Sequence, residues 1–195
     1  MSGFASLTRQ CWLFAIGSTL FALATAPGFP GWAGAATADS LCFAGSWFFT
    51  TAAWIQLVLS DRTRWFDRAA ATTQFAGTLL FNLSTGAAAW AHAVTEQRDY
   101  VWTPDASGSA LFLISGVLGM LAVGMPDLRS RDWCAEAINL AGCVAFGISA
   151  LAAFVRPDGV TADEWLANFG TFVGALCFLA AALIVLPRFA RRARA

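Results

Sequence analysis

Few side chains in this sequence have the chemistry to act on a substrate or hold a metal, and none has the neighbours that catalysis needs. His92 is the sole histidine. A bis-histidine haem takes two histidines, and a catalytic zinc takes two or three nitrogen or sulfur ligands. With Glu96 and Asp99, His92 makes at most a weak surface metal site, and it reads better as an ordinary interfacial histidine. The five cysteines include no CxxC pair, and Cys11, Cys42, Cys134, Cys143 and Cys177 read as small packing residues rather than as a disulfide framework. There is no Ser-His-Asp arrangement, Walker loop or HExxH motif. No catalytic, cofactor-binding or metal-ligating residue is therefore expected.

Glu136 is the acid that intrudes furthest into an apolar stretch. An ionised group at the centre of a membrane costs about 2.5–3.5 kcal/mol even on the lenient insertion scale. Glu136 is expected to escape that cost near a helix end, beside Trp133, where it can reach water or pair with Arg131 as a snorkelling anchor, with a proton-relay or ion site as the alternative reading. No acid or base then falls at mid-depth, which counts against proton-coupled transport. What remains is uncharged: Gln74, Asn82 and Ser84 in one apolar stretch, Asn139 and Ser149 in another, with Thr50, Thr51, Gln56 and Thr85 beside them. Such groups glue helices together in lipid at about 1–2 kcal/mol each in model peptides, or else line a small polar cavity. For a cavity the candidates are Asn82, Ser84, Gln74, Asn139 and Ser149, with Asn82 nearest mid-depth.

The elements that must position these groups are six apolar stretches, roughly 11–28, 40–60, 71–93, 108–126, 134–155 and 165–187. Each has about the 20 residues that a helix needs to cross a ~30 Å hydrocarbon layer. At 58% hydrophobic and 12% charged, the chain is too apolar for an ordinary soluble domain. All twelve cationic residues are arginine, and ten lie on one side of the stretches: Arg9, Arg62, Arg64, Arg68, Arg129, Arg131, Arg188, Arg191, Arg192 and Arg194. Only Arg98 and Arg156 lie on the other. By the positive-inside rule both termini are cytoplasmic, in a multi-pass protein of the plasma (inner) membrane. The arginine-rich side suits anionic inner-leaflet lipids, and the basic tail 188–195 reads as a lipid-contacting stop. Arginines that flank spans form no nucleic-acid-binding stripe. Trp12, Trp65 and Trp133 mark one boundary and Trp32, Trp90, Trp102 and Trp165 the other, while Trp47 and Trp54 read as packing residues. A competing reading takes residues 1–38 as a cleavable signal peptide ending at Ala36-Thr37-Ala38.

A glycine followed four residues later by phenylalanine occurs once in every stretch: Gly17/Phe21, Gly45/Phe49, Gly77/Phe81, Gly108/Phe112, Gly142/Phe146 and Gly174/Phe178. Positions i and i+4 share one helix face, so each glycine makes a notch and each phenylalanine a knob one turn along. Small residues allow the close backbone approach on which helix association in lipid depends. The first stretch carries the pair too, which favours its belonging to the mature fold. Residues 74–84 and 139–149 also match in register, with an amide, Ala-Gly, Phe and Ser at an offset of 65. The expected architecture is all-α, six transmembrane helices as three repeated hairpins, about 11–60, 71–126 and 134–187, in a single domain.

The segments Phe14-Ala15-Ile16-Gly17-Ser18-Thr19-Leu20-Phe21 and Phe43-Ala44-Gly45-Ser46-Trp47-Phe48-Phe49 resemble the helices of YrhK-like membrane proteins. That resemblance implies a two-helix unit with an apolar-Gly-Ser-x-x-Phe pattern. It covers about 50 residues and brings no reaction or catalytic residue with it. The chain departs from the family's single hairpin by having three. On sequence alone the leading functional expectation is a non-enzymatic scaffold or lipid-organising membrane protein. A carrier or channel for a small neutral or weakly polar solute comes second. An enzyme at the outer acids Asp105, Asp158, Asp163 and Glu164 with His92 comes third.

Overall fold

In a computed structural model, which describes residues 2–88 and 90–186, the chain is a bundle of long helices. They are α1 (Ser2–Thr25), α3 (Ala35–Leu59), α4 (Trp65–Ala87), α6 (Thr103–Val123), α7 (Arg131–Ala152) and α8 (Glu164–Val185), with short helices α2 (Phe29–Ala33) and α5 (Val94–Glu96) between them. The tail 188–195, with Arg188, Arg191, Arg192 and Arg194, lies outside the described residues. No strand occurs among the described residues beyond one isolated antiparallel bridge, Val155 with Thr161.

The long helices pack most extensively as the pairs α1/α3, α4/α6 and α7/α8, and α3/α4, α6/α7 and α8/α1 contacts close the pairs into a ring. Glycine explains the pairing. A Cβ placed on Gly17 would lie 3.0 Å from the Gly45 carbonyl oxygen and 3.0 Å from the Phe49 ring. One on Gly45 would lie 3.0 Å from the Phe21 ring. The same exchange joins Gly77 to Phe112 (2.7 Å) and Gly108 to Phe81 (3.1 Å), then Gly142 to Phe178 (2.8 Å) and Gly174 to Phe146 (2.5 Å). Each helix thus inserts its phenylalanine into the notch of its antiparallel partner.

Those six rings form the centre of the molecule. Phe21, Phe49, Phe81, Phe112, Phe146 and Phe178 are each 3–5% exposed and belong to one cluster with Ala22, Cys143 and Ala175. Within the pairs the ring centroids are 5.6 Å apart (Phe21–Phe49), 4.9 Å (Phe81–Phe112) and 5.2 Å (Phe146–Phe178). Between pairs, Phe146 meets Phe21 at 6.3 Å, Phe81 at 5.7 Å and Phe112 at 6.2 Å. Edge-on contacts dominate, as ring quadrupoles prefer. Apart from these rings and Val155, the buried apolar residues are alanine and cysteine, and no leucine or isoleucine is buried among the described residues. The large aliphatics face outward instead, with Val58, Leu83 and Leu151 each more than 60% exposed. A soluble core has the reverse arrangement.

Five segments are long and apolar enough to cross a membrane: Ser6–Thr25, Ala35–Leu59, Val94–Val123, Arg131–Ala152 and Glu164–Val185. α4 falls short by composition, since Gln74, Thr78 and Ser84 lower its hydropathy, but all three are buried against neighbouring helices. A helix that turns its polar residues toward its neighbours, and Leu79 and Leu83 outward, need not be apolar all round.

The boundaries differ from those read from hydropathy. α4 starts and ends about six residues before the expected 71–93, and the turn-rich segment after α1 contains α2. The largest change is ahead of α6, where Thr103-Pro104-Asp105, a turn signal by residue type that precedes the expected stretch 108–126, is helical. Proline cannot donate its backbone hydrogen bond and crowds the preceding turn. Here the π-helical turn Gln97–Trp102 just before it absorbs the mismatch, and Thr103 Oγ1 donates to the Arg98 carbonyl at 2.7 Å. A glycine with φ 86°, Gly34, breaks the chain between α2 and α3. Gly159 (φ 82°) closes the turn Arg156-Pro157-Asp158-Gly159. Trp47 and Trp54, expected as packing residues, are 54% and 53% exposed, because the inward face of α3 is taken by Gly45, Ser46, Phe49, Ala52 and Ala53; Trp54 still meets the Phe75 ring at 5.5 Å.

Candidate functional site

The phenylalanine layer is nearly closed. The void between its rings is only about 10 Å³ and lies beside Ser46 and Thr78, at the lower limit for one water. A cavity approaches the layer from each end of the bundle. The first, at the end where Arg64, Arg68 and Arg131 lie, has a volume of about 140 Å³ and reaches Phe49 and Phe178. Its polar wall comes from five helices: Gln10, Gln56, Gln74, Ser115, then Glu136 and Asn139. The second is about 350 Å³ and reaches Phe21, Phe81 and Phe146. Its wall includes Asp39, Ser84, Thr85, Gln97, Asp105, Ser149, Glu164, Asn168 and Thr171.

The repeat explains why these residues converge. Seven residues before each repeated phenylalanine lies Phe14, Cys42, Gln74, Asp105, Asn139 or Thr171, and all six line a cavity. Seven residues are about two helical turns, which returns a side chain to the same face. Helices α1, α4 and α7 run from the arginine-rich end, so their members (Phe14, Gln74, Asn139) line the first cavity. The others run oppositely, so Cys42, Asp105 and Thr171 line the second. Ten residues before the phenylalanine, Cys11, Asp39, Trp102, Glu136 and Asn168 do likewise.

Of the five polar residues singled out in the sequence, the structure brings Gln74 and Asn139 together in the first cavity and Ser84 and Ser149 in the second. Asn82 lines neither. It faces α3, where its Nδ2 donates to Thr50 Oγ1 at 2.9 Å, because it lies one residue past Phe81 and so is turned aside from the ring face. Ser149 donates to the Ala167 carbonyl at 2.6 Å and accepts from Thr171 at 2.7 Å, so it ties α7 to α8 and lines the second cavity as well. Asn82 Oδ1 and Gln74 Oε1 are both buried with no hydrogen-bond partner, but of the two only Gln74, 5% exposed, lines a cavity. Leaving such an acceptor unmet costs about 1–3 kcal/mol, which a structural role alone would select against.

The carboxylates also depart from expectation. Asp39 and Asp105 lie within helices and Glu164 begins one, and all three line the second cavity. Glu136 lines the first and presses its carboxylate against Gly119, where a side chain would collide with it. It forms no pair with Arg131, which instead donates to the Ile184 and Leu186 carbonyls at the end of α8. Arg68 donates to the Leu57 carbonyl (2.7 Å) and Ser60 (3.2 Å) at the end of α3, and Arg64 to the Ala122 carbonyl (2.8 Å) at the end of α6. These guanidinium groups satisfy helix-end carbonyls and oppose the negative end of the helix dipole, leaving the cavity acids unpaired. The only salt bridge among the described residues joins Arg64 to Asp67 at 3.0 Å.

The outer acids do not assemble with His92, which is exposed and donates its backbone N–H to Glu96 at 3.0 Å. No group of three His, Cys, Asp or Glu side chains among the described residues is arranged to hold a metal ion. All five cysteines are free. Hydropathy could not show Asp105 as a cavity residue, since the turn signal of Pro104 placed it in a connector. Counting back from the repeated phenylalanine finds it. The chain matches no protein-family model, no curated protein and no solved structure.

Proposed function

We propose that this chain is a multi-pass membrane carrier for a small polar solute, with both termini cytoplasmic. The observation that carries this reading is the pair of polar cavities that reach one six-ring layer from opposite ends of a closed helical ring. A carrier needs a binding space reachable from each side and a thin barrier between them. A scaffold needs neither, nor an unmet buried acceptor such as Gln74 Oε1. Membrane residence is supported by outward-facing leucine, isoleucine and valine around an interior of alanine, glycine and phenylalanine. Orientation in the plasma membrane rests on the ten-to-two arginine distribution. The three-hairpin architecture, with its likeness to YrhK-like proteins, belongs to the same proposal, and anionic inner-leaflet lipids are the partner that it implies.

The test is sidedness of access. Asn139→Cys and Thr171→Cys are introduced singly into a cysteine-free background and exposed to a membrane-impermeant thiol reagent in right-side-out and inverted vesicles. Position 139 is expected to react from the cytoplasmic side and position 171 from the opposite side. Reaction of both from one side, or of neither from any side, would end the carrier reading.

A further inference from the structure

We propose that the solute is a small monovalent cation, bound in the first cavity between the Glu136 carboxylate and the Gln74 carbonyl oxygen. The inference rests on the carrier reading and assigns its substrate class. Across the two cavities the lining includes Glu136 on one side and Asp39, Asp105 and Glu164 on the other, and no arginine or histidine. The nearby arginines are committed to helix-end carbonyls and to Asp67, so they do not neutralise these acids.

Gln74 supplies the second, independent observation. Its Oε1 is a buried acceptor with no donor in the protein, in the same cavity as the lone carboxylate. Gln74, with its unmet Oε1, and Glu136, with its unpaired carboxylate, line one space, and an occupant that donates hydrogen bonds and carries positive charge would satisfy both. The floor of that space agrees: Phe49 and Phe178 close it, and aromatic faces attract cations through the ring quadrupole. An anion would meet the Glu136 carboxylate with no cation to offset it, only the neutral amide and hydroxyl groups of the wall.

Size and geometry narrow the class. A cavity of about 140 Å³ is close to the ~150 Å³ engineered cavity that holds benzene, so an occupant of about six non-hydrogen atoms or fewer fits. No three ligating side chains among the described residues converge to chelate a metal, which favours a guanidinium- or alkylammonium-sized ion over a divalent one.

Guanidinium and urea make the test, because they are nearly the same shape and differ in charge. Uptake of each is measured in proteoliposomes holding the full chain, the Glu136→Gln variant or the Gln74→Leu variant. Saturable guanidinium uptake is expected, at least tenfold above urea, falling at least tenfold in Glu136→Gln and several-fold in Gln74→Leu. Both variants are checked by the thiol-access assay, so that a misfolded chain is not scored; Asp105→Asn, in the other cavity, serves as a further charge variant if Glu136→Gln misfolds. Equal uptake of urea, or guanidinium uptake indifferent to Glu136→Gln and Asp105→Asn, overturns the cation assignment and leaves the carrier reading standing. Uptake of neither probe also overturns it, while two-sided thiol access judges the carrier reading separately.

Discussion

Placing one methyl group at Gly174 tests the knob-and-notch packing directly. A Cβ there would lie 2.5 Å from the Phe146 ring and 3.0 Å from the Gly142 carbonyl oxygen, against 3.4 Å or more for ordinary contact. The ring must retreat by about 0.9 Å, yet it is hemmed in by Phe21, Phe81, Phe112 and Phe178. Overpacking of this kind costs about 1–3 kcal/mol. In water, alanine's better helix propensity would return about 1 kcal/mol. In a bilayer the separated helices stay helical, so that gain largely cancels and a loss of about 2 kcal/mol is expected. Gly147 is the control: it lies in the partner helix α7, next to Phe146, with nothing within 4 Å of its Cβ position, so Gly147→Ala should change stability by less than about 0.5 kcal/mol. The assay is reversible unfolding in mixed micelles by added SDS, followed by tryptophan fluorescence. Gly174→Ala should unfold at a lower SDS fraction, and Phe146→Leu added to it should recover part of the loss, since the two sites are coupled. Equal midpoints for Gly174→Ala, Gly147→Ala and the parent would refute the argument.

Other perturbations separate the parts of the structure. Phe146→Ala removes the ring shared by four others and should join the two cavities, so that proteoliposomes leak small solutes that the parent retains, as read by stopped-flow light scattering. Asn82→Leu should leave solute uptake unchanged and cost at most about 1.7 kcal/mol in SDS unfolding, the upper range for a helix–helix hydrogen bond in a membrane. Arg68→Gln should lower stability by about 1 kcal/mol, because the Leu57 carbonyl loses a charge-assisted partner. Deleting residues 1–38 removes Gly17 and Phe21 from the ring and should yield no monodisperse protein by size-exclusion chromatography; recovery of a stable truncated bundle would favour the signal-peptide reading.

The helical stretches and their glycine–phenylalanine pairs were legible because both depend on local sequence. Length and hydropathy mark a span, and the i, i+4 spacing puts Gly142 and Phe146 on one face whatever lies opposite. The exchange between helices, Phe146 into Gly174 and Phe178 into Gly142, needs the partner to be known and so was not legible. Asp105 was hidden by Pro104, whose turn signal is overridden by the π-helical turn at Gln97–Trp102. Asn82 looked central because depth was judged along the helix axis, whereas cavity lining depends on angle around it. Trp47 and Trp54 show the same limit: their angle on α3 turns them away from the face that carries Gly45 and Phe49, so both are half-exposed, although Trp54 still packs on Phe75 of α4.

The arginines at the ends of α3, α6 and α8 serve two purposes with one set of atoms. The fold uses them as closures for Leu57, Ala122 and Ile184, and under the proposed orientation the same guanidinium groups are the cations that hold this end in the cytoplasm. Exchanging one for a neutral residue would then weaken a helix terminus and the sidedness signal at once, so the two properties are coupled through the same side chains.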